Sequence, residues 1–221
     1  MPVGTQSADV RLQFLRRVYA HLGGAVAAFV LLEMFLFSSG LAMAIAELVF
    51  GTSWLLILGG FVLISWLSSS VAHRATTPAA QYGAYAALIV AEALLFAPML
   101  VIASLQAPGV ISQAAMLSVV AFAGLTLVAL TSGRDFSVLG ALLKWGGIVA
   151  LVLIVAAVLF GLGLGTWFSV AMIAYAGGAI LYDTSRVLRT YPADREVAAS
   201  MQLFASLALL FWYVLRLLSR N

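Results

Sequence analysis

Between residues 18 and 218 the chain runs through one apolar stretch after another, and nearly every segment between charges is long enough to cross a bilayer. The hydrocarbon core is about 30 Å thick and takes about 20 apolar residues to span as a helix. No water is available to the backbone there, so a spanning segment must satisfy its own N–H and C=O groups. Composition agrees: 64% of residues are hydrophobic and 9% charged, the mean hydropathy is +1.13, and ordinary globular chains carry roughly 25% charged residues. The expected fold is all-α, a polytopic bundle of seven transmembrane helices. Residues 1–13 read as a polar N-terminal tail, 14–218 as a single membrane domain and 219–221 as a C-terminal tail. No room is left for a second, soluble domain.

The first span covers 18–37 and is interrupted by Glu33; a weaker stretch, 38–53, carries Glu47 and reads as a connecting, partly interfacial segment. Later spans are expected at 54–72, at 82–104 with Glu92 and Pro98, at 111–130, from beyond Phe136 to about 162, at 168–183 and at 197–218. Gly161-Leu-Gly-Leu-Gly165 contains a GxxxG, a close-packing motif of membrane helices, but at a helix end it reads better as a turn. The glycine pairs at 23–24, 59–60, 146–147 and 177–178 suit close packing or kinks, and the tryptophans suit interfacial belts or bundle packing.

The basic residues fix an expected orientation. With the N-terminus inside, the inner segments hold Arg11, Arg16, Arg17, Arg74, Arg134, Lys144, Arg186, Arg189 and Arg195, while the outer loops hold no Lys or Arg. Cytoplasmic loops carry such an excess. Arg216 and Arg220 are the exception, lying outside if the last helix crosses fully. Because topology accounts for the basic residues, the net charge of +3 gives no reason to expect a nucleic-acid partner. The chain has no cysteine, so disulfides, thiolate metal sites and Cys nucleophiles are excluded. His21 and His73 are too few and too scattered for a zinc site, and no cofactor is expected. The N-terminus lacks a secretory signal and its cleavage site, so the first apolar helix is expected to be retained. A bacterial cytoplasmic membrane is the expected location.

The chemistry concentrates between residues 172 and 218. The apolar run from Met172 leads directly into Tyr182-Asp183-Thr184-Ser185-Arg186. A carboxylate joined to so apolar a segment must be paired, hydrated or protonated; the alternative is that Asp183 sits at the water level and ends its helix. Burial disfavours its charged form, whereas Arg74 or Arg186 nearby favours it, and Arg186 is three residues on, in reach of a local pair. On the last helix Gln202 and Ser206 are four apart and Tyr213 is seven beyond, a polar stripe on one face. If it faces Asp183, Gln202 and Ser206 are its candidate hydrogen-bond partners; otherwise they are polar glue between helices. Glu33 and Glu92 either line a cation path or find a buried polar partner. Arg134-Asp135 is expected to form a turn and an ion pair.

Four segments, taken together, resemble the transmembrane Bax inhibitor motif family: Phe14-Leu-Arg-Arg-Val-Tyr19, Thr131-Ser-Gly-Arg-Asp-Phe-Ser-Val-Leu-Gly140, Leu181-Tyr-Asp-Thr184 and Leu210-Phe-Trp-Tyr-Val-Leu-Arg-Leu-Leu218. The likeness covers about residues 14–218. It implies a bundle whose last helix is central and surrounded by the other six, and a passive, pH-sensitive calcium leak. The family's gate is a pair of aspartates that a basic residue of the second helix bonds when the pore is shut. Two adjacent carboxylates cannot both ionise cheaply, so such a pair works as a proton switch, and its oxygens suit calcium when ionised. Asp183 matches the first aspartate and Arg74 the basic residue, with His73 adjacent. The second acid is missing: Ser206 stands ten residues before Arg216, and no acid occurs anywhere in 197–221. One carboxylate and one hydroxyl make a poorer calcium site.

Two functions follow. One is a pH-responsive cation leak gated around Asp183, with calcium the transported ion and Asp183 its candidate ligand. The other is a non-conducting regulator that binds a membrane-protein partner, such as a membrane protease or cell-death machinery. Enzymatic activity is not expected, since the chain has no HExxH, no GxSxG and no second aspartate for a dyad.

Overall fold

The computed structural model describes residues 2–75 and 77–220, and among them every long element is an α-helix. A 3-10 turn, Val3–Thr5, precedes eight helices: α1 Ala8–Ser38, α2 Leu41–Phe50, α3 Trp54–Arg74, α4 Pro78–Gln106, α5 Val110–Thr131, α6 Leu139–Phe160, α7 Thr166–Arg189 and α8 Glu196–Leu218. Seven of these have 21 residues or more, or about 30 Å at 1.5 Å per residue. Six are long and apolar enough to cross a membrane. α7 is long enough, but its last third carries Asp183, Ser185, Arg186 and Arg189. The protein is a multi-pass integral membrane protein. The connecting stretch 38–53 is the short helix α2, set off from α1 by Gly40 at φ +78°, a backbone conformation glycine adopts without steric cost.

Helix boundaries run past the apolar spans wherever polar residues can still propagate a helix. α1 starts at Ala8, with Asp9 in its first turn, where a carboxylate meets the positive helix end. The N-terminal segment is therefore no free tail: Val3 is buried, its N–H donates to the Tyr191 carbonyl at 2.8 Å, and Pro2 bridges Pro192. Pro78 sits at the first turn of α4, where its missing N–H costs nothing. Pro98 lies inside α4, tolerated in membrane helices because neighbours re-satisfy the freed backbone.

α8 is the centre of the bundle. It has the most buried span and packs against α1, α3, α4, α5 and α7. The expected ring of six is a ring of five, because α6 packs on α7 and α3 instead. Glycines explain that docking. A Cβ at Gly140 would meet the Tyr182 ring at 2.8 Å, and one at Gly147 the Tyr175 hydroxyl at 2.8 Å. Tyr175 then donates to the Leu143 carbonyl at 3.0 Å. The pairs at 23–24 and 59–60 have open space around them, whereas Cβ atoms at Gly177 and Gly178 would make ordinary contact with Leu125 and Leu143, so the tightest of the four pairs is 146–147. Gly161, at φ +64°, caps α6, so the GxxxG is a turn.

Four basic segments meet at one end of the bundle. Arg195 donates to the Ala75 carbonyl at 2.6 Å, His73 Nε2 meets the Tyr191 hydroxyl at 3.2 Å, Arg189 donates to the Gly133 carbonyl at 2.9 Å, and Arg17 pairs with Glu196 at 3.6 Å. The N-terminus, the α3–α4, α5–α6 and α7–α8 connections thus share one face. At the opposite end Arg216 and Arg220 both donate to the Leu164 carbonyl.

Candidate functional site

Asp183 does not end its helix. α7 continues to Arg189, six residues further, which sets the carboxylate about 9 Å in from the basic end. The polar run after Leu181 stays helical because it is packed: Asp183, Thr184, Ser185 and Val187 are all buried, Thr184 and Val187 completely. Asp183 faces α8, where Ser206, itself 5% exposed, donates to its Oδ2 at 2.6 Å. That is the short distance of a charge-assisted O–H···O⁻ bond. The residue standing in the second acid's place therefore touches the first acid. A hydroxyl in that position satisfies a carboxylate without adding a second charge.

The other predicted members of the site are elsewhere. Arg74 is exposed near the end of α3 and lines a shallow depression with Trp66, Leu67 and Ser70; the expected bond to Asp183 is not made. Its neighbour His73, also exposed, is held by the Ser69 carbonyl at 2.8 Å and by the Tyr191 hydroxyl at 3.2 Å. Arg186 lies over the rings of Tyr182 and Tyr191, 5.6 and 5.1 Å from their centroids, a cation–π arrangement in place of the expected ion pair with Asp183. Burial pushes the Tyr191 hydroxyl up to about 12, so it stays a neutral donor beside Arg186.

The polar stripe of α8 splits. Ser206 faces Asp183, whereas Gln202 and Tyr213 both line a cavity, Tyr213 also packing edge-on against Phe168 at 5.9 Å. Glu92 lines the same cavity; Glu33 is buried on α1, and neither of its carboxylate oxygens has a hydrogen-bond partner among the described residues. Arg134 and Asp135 do not pair as expected. Asp135 Oδ1 accepts from the Ser137 N–H at 2.9 Å and from Ser185 Oγ at 3.3 Å, and the Phe136 N–H donates to the same Ser185 hydroxyl at 3.2 Å. The Ser137 N–H holds the exposed Asp135 carboxyl below its usual range. The Arg-Asp-Phe-Ser turn is thereby latched to α7 two residues beyond Asp183, a contact the sequence pattern did not disclose.

The cavity has a volume of about 1240 Å³ and is bounded by α3, α4, α6, α7 and α8, with the end of α2 at Val49 and Phe50. Arg216, Arg220 and Leu164 line it at the end away from the basic segments, while Ala205, Gln202 and Tyr175 line its depth. Ala205 is the direct neighbour of Ser206. The cavity therefore runs past the level of the Asp183–Ser206 bond, as far as Met201 and Gln202 on α8, and neither Asp183 nor Ser206 lines it. Among the described residues no group of three or more His, Asp or Glu side chains is placed to hold a metal ion. Asp183 with Ser206 offers a cation one charged ligand and one hydroxyl, too few by themselves for the six to eight oxygens of a resident calcium site.

The model of the family described as "Inhibitor of apoptosis-promoting Bax1" matches residues 11–221. Among curated proteins, the chain is 28% identical over 227 residues to the Golgi anti-apoptotic protein of Vaccinia virus (strain Lister), covering 98% of this chain and 89% of the relative. The protein of the same name from strain LC16m0 aligns with the same identity and coverage.

Proposed function

The chain belongs to the family of inhibitors of apoptosis-promoting Bax1, and from that premise we propose that it is a pH-responsive passive cation leak, calcium being the transported ion, held shut by Asp183 and Ser206. One observation carries the reading: Ser206, where the second acid would stand, makes a buried 2.6 Å bond to Asp183, at a level that a large cavity also reaches. The lock works through charge. An ionised Asp183 accepts from Ser206 and is attracted by Arg186 one turn away; protonation weakens both interactions and frees α7 to separate from α8. In the orientation that the basic loops favour, the lock sits towards the cytoplasm and the cavity opens outward. Calcium is passed along rather than held, as expected of a site with one carboxylate.

The test is calcium entry into proteoliposomes. Wild-type flux should rise as the pH is lowered from about 8 to about 5, the range over which a buried carboxylate can be brought to titrate. Asp183→Asn should conduct without pH dependence. Absence of wild-type flux at every pH would end the leak reading.

A second reading is a non-conducting regulator that binds a membrane-protein partner. The missing second acid and the printed name of the viral relatives, anti-apoptotic proteins, favour it. Ser206→Asp separates the two: flux in that variant and none in wild type would mark an inherited pore scaffold put to a binding use.

A further inference from the structure

Arg216 and Arg220 point their guanidinium groups at one acceptor. Arg216 Nη2 lies 3.3 Å and Arg220 Nη1 2.7 Å from the Leu164 carbonyl oxygen. Two like charges have thus been brought to a single neutral oxygen, and among the described residues no carboxylate is within ion-pair distance of either. Each guanidinium has five N–H donors and spends one here, so several remain for an anion between them. The fork of a guanidinium matches phosphate oxygens in pairs.

The space beside this cluster identifies the rest of the ligand. Both arginines line the 1240 Å³ cavity, whose walls are otherwise mostly apolar, with side chains such as Leu151, Ile154 and Ala157 of α6 and Leu58 of α3. Gln202 and Arg216 line it fourteen residues apart on α8, so it runs about 21 Å along the bundle. One leaflet of hydrocarbon is about 15 Å deep. Glu92, the cavity's acid, is on α4 fourteen residues from Gln106 at the mouth, far from the arginines. Trp54 and Trp212 stack at 6.5 Å along its wall, as tryptophans do near the headgroup level. A phosphate at the top and an apolar slot of acyl length below describe one molecule.

We infer that this cavity is a phospholipid site: Arg216 and Arg220 hold the headgroup phosphate, and an acyl chain lies between α3, α6 and α8. Anionic headgroups are preferred, because a zwitterionic one brings its own cation to the arginines. The site does not depend on the leak reading, and binding is measured without flux.

The experiment is native mass spectrometry of the full chain in detergent, titrated separately with phosphatidylglycerol, phosphatidylcholine and inorganic phosphate. Wild type should take up one phosphatidylglycerol with a preference of about tenfold or more over phosphatidylcholine, as two arginines facing an anionic headgroup imply. Arg216→Gln with Arg220→Gln should abolish the preference. Ala157→Trp, which fills the slot and leaves the arginines alone, should reduce uptake of both lipids. Circular dichroism of each variant confirms the fold. Lipid uptake unchanged in both variants, or inorganic phosphate competing as well as the lipid, would overturn the site.

Discussion

A carboxylate inside a bilayer-spanning helix needs a reason to stay, and for Asp183 the reason is a single hydroxyl. Ser206 is small enough to sit between α7 and α8 without separating them, and it offers one donor to one acceptor. Ser206→Ala keeps the volume nearly constant and leaves Asp183 Oδ2 buried without that donor, which should destabilise the protein by about 1–3 kcal/mol. Thermal unfolding in detergent measures it, and an unchanged midpoint would show that the bond contributes nothing. Asp135, by contrast, is exposed and acts as a latch. Its carboxyl is held low mainly by the Ser137 N–H, so its contribution is present above the ordinary carboxylate range and disappears as pH falls through the lowered value. Hydrogen exchange at Phe136 and Ser137 should stay slow from neutral pH down into the acid range and become fast only below it, and Asp135→Ala should give fast exchange at every pH.

At the scale of helices, the α6–α7 contact is made by tyrosines laid on glycines. Gly147→Leu must displace Tyr175 from its bond to the Leu143 carbonyl, and overpacking of this kind costs about 1–3 kcal/mol. Gly59→Leu has open space around it and serves as the control; equal effects of the two would refute the packing account. This scale also shows what was readable in the residues. The spans and the connecting stretch that forms α2 follow from hydropathy, whereas the central last helix and the place of Ser206, ten residues before Arg216, follow from the family resemblance. The length of α7 was not readable, because apolar counting stops at Asp183 whereas the helix goes on under the protection of tertiary packing. Arg74 matched a pattern by position, but a residue near a helix end can point to either side, and it is His73 that meets the α7–α8 connection, at Tyr191. The Ser185 latch and the glycine–tyrosine contacts join segments tens of residues apart, and nothing in either segment alone announces the other.

Across the whole molecule, charge and cavity are arranged end against end. The basic connections gather on one side, the cavity mouth with Arg216 and Arg220 on the other, and Asp183–Ser206 lies between them. Since the natural chain has no cysteine, single cysteines report sidedness cleanly. Thr52→Cys should react with an impermeant thiol reagent added outside intact cells, and Ser132→Cys should react only after lysis; the reverse pattern would invert the proposed orientation. The most direct test of the gate is a double-mutant cycle read as calcium entry into proteoliposomes near neutral pH. Asp183→Asn and Ser206→Ala should each raise the leak above wild type, and the double variant should leak no more than the larger of the two, because both remove the same lock. Independent, multiplying effects, or variants that behave as wild type, would contradict a gate made by this pair.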